Sequence, residues 1–197
     1  SIIAAPDGTL HWHCFFLEGN HLDGQLVVTE AMSPYHVILK YDKDGNYLSH
    51  IPIPLGGSIN NSNVKLYYET LTQRYYVAIG LHNASSTPSW DGEDIYGAII
   101  ALDNQGNELW SHISPISVGA HSAVFSIVTD TQSNVYLSGT SYNDSGISEF
   151  AGYNFTHSSR GPYLMKLDSN GNLIWGTNLN PGTGAGSLSN SCDGCKG

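Results

Sequence analysis

The sequence predicts an all-β protein built as an array of three four-stranded antiparallel units. A strand–turn–strand pattern occurs three times, and its aspartates recur 61 and 65 residues apart at Asp42, Asp103 and Asp168. A long period with strand content is typical of stacked β units. Only 12% of the residues are charged and there are 22 glycines, a composition typical of turn-rich β proteins. Helical periodicity is missing from the whole sequence.

The first unit is predicted at residues 9–54, after an entry segment at residues 1–8. Its strands are expected at residues 10–17, 25–30, 36–42 and 46–53, separated by glycine, asparagine and proline positions. The apolar start of the chain, residues 2–5, has two interpretations. It is a strand donated to a neighbouring subunit or, as is more common for termini, the first strand of the chain's own sheet.

The second unit is predicted at residues 63–115, with strands at 64–70, 75–81, 96–103 and 108–114. The third is predicted at residues 121–180, with strands at 123–129, 134–141, 163–168 and 173–179. A Gly/Ser-rich tail with a Cys-x-x-Cys pair follows at residues 181–197. Four short strands joined by hairpin turns are the make-up of a β-propeller blade.

The turn after each third strand has glycine at a fixed place, at Gly45, Gly106 and Gly171. A type I turn followed by a left-handed residue favours glycine there, because other side chains meet a steric penalty. Trp110 and Trp175 occupy equivalent places on the fourth strands. We expect both indoles to pack between neighbouring units, as aromatic side chains often do.

The third unit, with Ser-Asn-Val-Tyr-Leu-Ser-Gly-Thr at residues 133–140 and the hairpin Tyr163–Trp175, resembles the bacterial extracellular β-propeller repeats often called SBBP repeats. More distantly it resembles the tryptophan-ended blades of quinoprotein-type propellers. The resemblance covers residues 121–180 well, 63–115 moderately and 9–54 loosely, where Ser49 replaces the tryptophan. It implies a propeller-like fold and a secreted or cell-surface setting, and no particular activity.

Three units are too few for a standard ring, since closed propellers carry about four to eight blades. The fold class predicted is therefore a β-propeller-like array of three blades that one chain does not close. Open faces and strand edges are seldom left exposed. The chain is either part of an assembly, a ring or a filament of several copies, or a piece of a longer propeller, or an unusual compact fold.

The formal net charge of −10 argues against nucleic acid and anionic membranes as partners. The sequence lacks an apolar run long enough for a transmembrane helix. Its start at Ser1 fits a mature chain after cleavage or an arbitrary boundary. Four triplets match the N-glycosylation pattern, at Asn60, Asn83, Asn143 and Asn154. We therefore expect an extracellular or cell-surface location.

The loops between the second and third strands are expected to lengthen along the chain, at residues 31–35, 83–95 and 142–160. Variable loops on a rigid scaffold are where binding usually occurs. The residues predicted for a ligand or interface are Trp90, Asp91, Glu93, Asp94, Tyr142, Tyr153 and Phe155. Aromatic rings beside carboxylates suit glycans and subunit interfaces equally.

Calcium is a weak alternative for the acidic loop at residues 90–94 and for the Asp-x-x-Gly-Asn turns. The turns lack the terminal bidentate glutamate of a calcium loop, and the hairpin interpretation explains all three copies. The cysteines Cys14, Cys192 and Cys195 are disulfide candidates, within the chain or between chains. A metal site is not predicted, because the histidine and cysteine positions lie at opposite ends of the chain.

No nucleophile–base pair or cofactor motif is recognisable, and we expect a chain that is not an enzyme and needs no cofactor. The function expected is a secreted or cell-surface interaction module that acts through self-assembly or adhesion, by way of open blade faces or terminal strands. The alternatives are a glycan-binding, lectin-like propeller and a fragment of a larger surface enzyme.

Overall fold

A computed structural model describes residues 1–57, 62–81, 88–116, 120–143, 148–155 and 161–178. These residues form antiparallel β-strands with short 3-10 turns, which confirms the all-β class. Within these ranges there is no helix long and apolar enough to span a membrane. In chain order the strands are β1 (Ile2–Ala4), β2 (Leu10–Phe16), β3 (Gly19–His21), β4 (Leu26–Val28), β5 (Tyr35–Tyr41), β6 (Tyr47–Pro52), β7 (Leu55–Gly57), β8 (Ser62–Glu69), β9 (Arg74–Leu81), β10 (Pro88–Trp90), β11 (Glu93–Leu102), β12 (Glu108–Pro115), β13 (Ala120–Thr129), β14 (Val135–Asn143), β15 (Ser148–Phe150), β16 (Tyr153–Phe155), β17 (Gly161–Leu167) and β18 (Leu173–Asn178).

The first sheet has the strand order β1-β2-β5-β6. Its edge strand is Ile2–Ala4, which pairs with β2 through a turn at Gly8, so the start of the chain belongs to its own sheet. The strand predicted at residues 25–30 is therefore wrongly placed in this sheet. Its apolar core, β4, pairs instead with β3 in a separate hairpin. The segment does contain a strand, but local sequence alone does not choose its partner strand.

The second sheet contains the meander β8-β9-β11-β12, to which β10 and β7 are added at the start of β11. The third sheet has the order β13-β14-β17-β18. The strands predicted for these two meanders are confirmed, and no predicted end differs from the observed end by more than three residues.

Each sheet has its longest connection between its second and third meander strands. These connections run over residues 17–34, 82–92 and 144–160, and each includes at least one short extra strand. The prediction that these connections become longer from the first sheet to the third is wrong, because the first connection contains the β3–β4 hairpin.

Four turns are built alike around an aspartate, at Asp42, Asp103, Asp130 and Asp168. In each turn the Oδ1 atom accepts the backbone N–H groups two and four residues later. The asparagine four residues later donates its side-chain amide to Oδ2. The carboxylate oxygens are thus used inside the turns, which favours the hairpin interpretation over calcium.

Two apolar clusters join the three sheets face to face. One cluster holds Ile38 and Ile51 of the first sheet against Val77, Ile79 and other residues of the second. The other holds the opposite face of the second sheet against the third; its members include Tyr76, Ala78, Ile99, Ala101, Leu137, Tyr163, Met165 and Leu167. The second sheet is consequently covered on both faces, and its third strand is apolar at nearly every position, as expected for such a strand.

Candidate interaction surfaces

The contact between the second and third sheets centres on one hairpin turn, Asp168–Asn172. A Cβ atom added to Gly171 would lie 2.7 Å from Cδ2 of Trp110, so the turn and the indole are in close contact. Trp110 Nε1 donates to the carbonyl oxygen of Ser169 at 3.1 Å, and Arg74 Nη1 donates to the same oxygen at 2.6 Å. The role predicted for Trp110 is confirmed: it packs on the next sheet.

The contact between the first and second sheets repeats this arrangement at the turn Asp103–Asn107. A Cβ atom on Gly106 would clash with Cγ2 of Ile51 on the fourth strand of the first sheet. Lys40 Nζ donates to the carbonyl oxygen of Asn104 at 3.3 Å, and Asn104 is equivalent to Ser169. Each contact therefore joins the third-to-fourth-strand turn of one sheet to the sheet before it.

The outer face of the third sheet is not covered by any described residue of the chain. Met165 and Leu167 point toward the second sheet, so the alternate residue Leu164 points away from it. On this outer face Val128 is 54% exposed, Trp175 39% and Leu164 36%. Trp175 was expected to pack between units, but none of the described residues forms the next unit.

Lys166 lies among the exposed apolar residues of this outer face. Its Nζ is 3.3 Å from an Asp130 carboxylate oxygen and 4.8 Å from the centre of the Tyr136 ring. The side-chain hydrogen bond to Tyr136 raises the pKa of Lys166, and the side-chain hydrogen bond from Asn134 lowers the pKa of Asp130. The charges of this pair balance, so the face is apolar with one neutral ion pair.

The outer face of the first sheet is covered at its centre and exposed toward its β1 edge. Ile38 packs toward the second sheet, so its neighbours Val37 and Leu39 point outward, and both are nonetheless fully buried. Trp12 pairs with Leu39, shares this face and is 46% exposed. Val77 and Leu137 are the equivalents of Trp12 in the other two sheets, because each pairs with the residue three positions before its turn aspartate, and both are buried.

Four buried aromatic groups lie between the first and second sheets. His36 Nδ1 and His13 Nε2 are 3.4 Å apart, and the Tyr75 hydroxyl is 3.1 Å from His11 Nδ1. Burial lowers the pKa of His13 to about 3 and that of His36 to about 4, so both rings are neutral at pH 7. The described residues contain no group of three metal-ligating side chains. These histidines pack the interface between the sheets.

A groove of about 560 Å³ lies beside the cis Ser33–Pro34 peptide bond. Its lining contains no charged side chain among the described residues; the lining includes Met32, Pro34, Tyr35, His36, Pro52, Ile53, Pro54, Leu55 and Ser89. A groove of this size and polarity fits a small uncharged molecule.

The aromatic residues predicted for a ligand or interface are mostly internal. Trp90 is buried and donates its Nε1 to a Glu108 carboxylate oxygen at 2.8 Å, and Phe155 is buried against Tyr163. Tyr153 is half-buried on β16, where a Cβ on Gly176 would touch its ring. These rings contribute to packing rather than to an exposed aromatic surface.

The acidic residues predicted for the same loops surround the β10–β11 turn, where Asp91, Glu93 and Asp94 are exposed. Among the glycosylation candidates, Asn154 is exposed on β16. The side chains of Tyr142 and Asn143, and the whole of Asn60, Asn83, Cys192 and Cys195, lie outside the described residues. A binding role for these loops stays a prediction.

Cys14 is a free, half-buried thiol among the described residues. Burial raises the pKa of this thiol to about 11, which keeps it protonated at neutral pH. Its disulfide pairing stays untested, because the other two cysteines lie outside the described ranges.

No protein-family model matches this chain, and no curated protein matches it in sequence. The fold therefore defines a class only: an all-β protein of antiparallel sheets stacked face to face. Sequence relatives add no activity or partner to that description.

Proposed function

We propose that this chain is a non-enzymatic interaction module whose three meander sheets act as β-propeller-like blades. It works by self-association, in a secreted or cell-surface setting. The low charged content, the candidate glycosylation sites and the resemblance to extracellular propeller repeats support that setting.

One observation carries the proposal: residues at one register position are buried between sheets and exposed on the outer face of the third sheet. Leu164, Ile99 and Ile38 each lie four residues before a turn aspartate. Ile38 and Ile99 are fully buried between sheets, whereas Leu164 is exposed on the outer face of the third sheet. The outer face of the third sheet thus has the side chains of an inter-sheet contact without a neighbouring sheet, and an exposed apolar patch of this kind marks an association site.

Sedimentation or light scattering over a concentration series tests the proposal. The expected result is a mass above the 21.2 kDa of one chain that increases with concentration. A mass that stays at that of one chain at the highest attainable concentration would overturn self-association. A variant with both Trp12→Arg and Trp175→Arg is the control and should remain monomeric, because both substituted residues are exposed end-face residues.

Ligand binding is the second candidate, and the uncharged groove beside Pro34 favours it. The ligand class that fits is a small neutral molecule, including a sugar with its apolar ring face. A glycan array and a panel of neutral small molecules should detect binding that Met32→Arg removes, since Met32 is exposed at the groove and its replacement leaves the core intact. If neither the native chain nor the Met32→Arg variant binds any ligand, this candidate function is wrong. Binding by both places the ligand outside the groove.

The remaining alternative is a fragment of a larger surface enzyme. Genomic sequence on either side of residues 1 and 197 tests it: a continuous reading frame with further blade-like units would favour the fragment.

A further inference from the structure

His36 is a fully buried histidine that belongs to the lining of the groove beside Pro34. Its backbone is fixed next to another lining residue, because its carbonyl oxygen accepts the Ile53 N–H at 3.0 Å. Ile38 packs toward the second sheet, so His36, two residues earlier on β5, points to the same side. On that side Ser89 and β7 of the second sheet complete the groove.

Nε2 of His36 has no hydrogen-bond partner among the described residues and is shielded from solvent. Nδ1 of the same ring is 3.4 Å from Nε2 of His13, which is not part of the groove lining. A buried polar atom without a partner is rare in proteins, because it costs free energy that a hydrogen bond restores. Of the described residues with such an atom, only His36 lines the groove.

The hydrogen bond that Nε2 requires depends on the tautomer of the ring. Burial lowers the pKa of His36 to about 4, so at pH 7 the ring is neutral and one nitrogen carries the proton. If Nδ1 donates to His13, then Nε2 is an acceptor; if His13 donates to Nδ1, then Nε2 is a donor. A hydroxyl group donates and accepts through one oxygen, so it matches Nε2 in either tautomer.

The rest of the lining restricts the ligand further. Besides His36, the described side chains that can form hydrogen bonds there are Ser33, Tyr35 and Ser89, and the other lining residues are apolar or glycine. A sugar has a hydroxyl group on most of its ring carbons, and several of these would be buried without partners. A molecule with one hydroxyl group on an apolar body fits this lining better.

We propose that the groove binds a small apolar alcohol or phenol, whose hydroxyl group forms a hydrogen bond with Nε2 of His36. This inference rests on ligand binding, the second candidate function above, and names the ligand class and the anchoring atom. Met32, Ile53 and Leu55 cover the apolar body of the ligand. Because Nε2 is shielded in the free chain, the hydroxyl group reaches it with a small shift of a lining side chain.

Phenol and toluene are the probes that test this inference, because they have the same shape and only phenol has a hydroxyl group. Dissociation constants come from titrations followed by backbone amide chemical shifts. The ratio of the toluene constant to the phenol constant should decrease by about tenfold or more in His36→Leu relative to the native chain. Comparing ratios cancels the different free energies with which the two probes leave water.

His13→Leu is the matched control. It removes the other histidine of the same buried pair, and this residue is outside the groove lining. The ratio should therefore be unchanged in His13→Leu, and both variants should keep the native circular dichroism spectrum. Met32→Arg should weaken the binding of both probes, since it blocks the groove itself.

A long-range proton–nitrogen spectrum of the histidine rings in the native chain gives a second measurement that requires no variant. Phenol should shift the Nε2 resonance of His36, and toluene should leave it nearly unchanged. If neither probe binds the native chain in the groove, ligand binding there fails and this inference fails with it. If both probes bind but the ratio is the same in His36→Leu, or phenol leaves the Nε2 resonance unchanged, the groove remains a binding site and the hydrogen bond to His36 is overturned.

Discussion

Replacing Gly171 with alanine measures how much the turn–tryptophan contact inside the chain contributes to stability. The backbone at Gly171 has φ +84°, and its added Cβ would lie 2.7, 2.9 and 3.0 Å from three carbon atoms of the Trp110 indole. The left-handed backbone alone costs an L-residue about 1 kcal/mol. Moving the indole adds about 2 kcal/mol through overpacking and a weakened hydrogen bond to Ser169.

Gly45→Ala is the matched control, because its φ is +86° and the space around its Cβ is empty in the free chain. We expect a loss of about 1 kcal/mol for Gly45→Ala and about 3 kcal/mol for Gly171→Ala. For a domain of this size these losses lower Tm by about 3 °C and about 9 °C.

Urea unfolding followed by far-ultraviolet circular dichroism gives both free energies. The measurements belong at dilutions where the native chain is monomeric, so that only contacts within the chain contribute. Tryptophan fluorescence should report the shifted indole in the Gly171 variant alone. Equal stabilities of the two variants, within about 0.5 kcal/mol, would refute the claim that this turn packs tightly on the preceding sheet.

Three further predictions follow from backbone geometry and burial. Gln73 is an exposed residue whose φ of +55° strains its backbone, so Gln73→Gly should raise the free energy of unfolding, measured by urea titration, by up to about 1 kcal/mol. A loss of stability would show that the hydrogen bond between Gln73 and Asn104 contributes more than the backbone strain costs. The folded-state pKa values of His13 and His36 are about 3 and about 4, below the ordinary 6.5. Between pH 6.5 and pH 4 the unfolded state therefore binds more protons than the folded state, and the free energy of unfolding falls as the pH decreases. Thermal unfolding should show a slope of up to about 1.4 kcal/mol per pH unit for each histidine, and His36→Leu should remove the part that His36 contributes; an unchanged slope in the variant would contradict this assignment. In a Cys192→Ser, Cys195→Ser variant, Cys14 should react with a disulfide reagent at pH 8 far more slowly than a free cysteine, with a rate that rises up to about pH 11; a rate equal to that of free cysteine would show that the thiol is not buried.

The second and third sheets could be predicted from the sequence because three copies of one pattern reinforce each other. The turn aspartate and glycine fix the hairpin, and the strands on either side alternate or are continuously apolar. The first sheet was predicted only in part. Leu26–Val28 has the residues of a strand and Ile2–Ala4 is short, so local preference favoured the wrong segment, and the pairing with β2 is a long-range choice.

The candidate site was harder to predict, because it depends on which side chains the stacked sheets cover. Trp90 and Phe155 lie in loops by sequence, yet both are buried between sheets, and no local pattern indicates this. An uncovered outer face on the third sheet follows from the count of three units. Its residue Trp175 could be assigned to that face only after strand register and side-chain direction were known.

The turn after each third strand has its glycine for two separate physical reasons. Its glycine is required first by the left-handed backbone, which the sequence alone predicts for Gly45, Gly106 and Gly171. In the structure the glycines of the second and third sheets meet a second requirement, since a Cβ at either would collide with the preceding sheet. Gly45 meets only the first requirement within one chain.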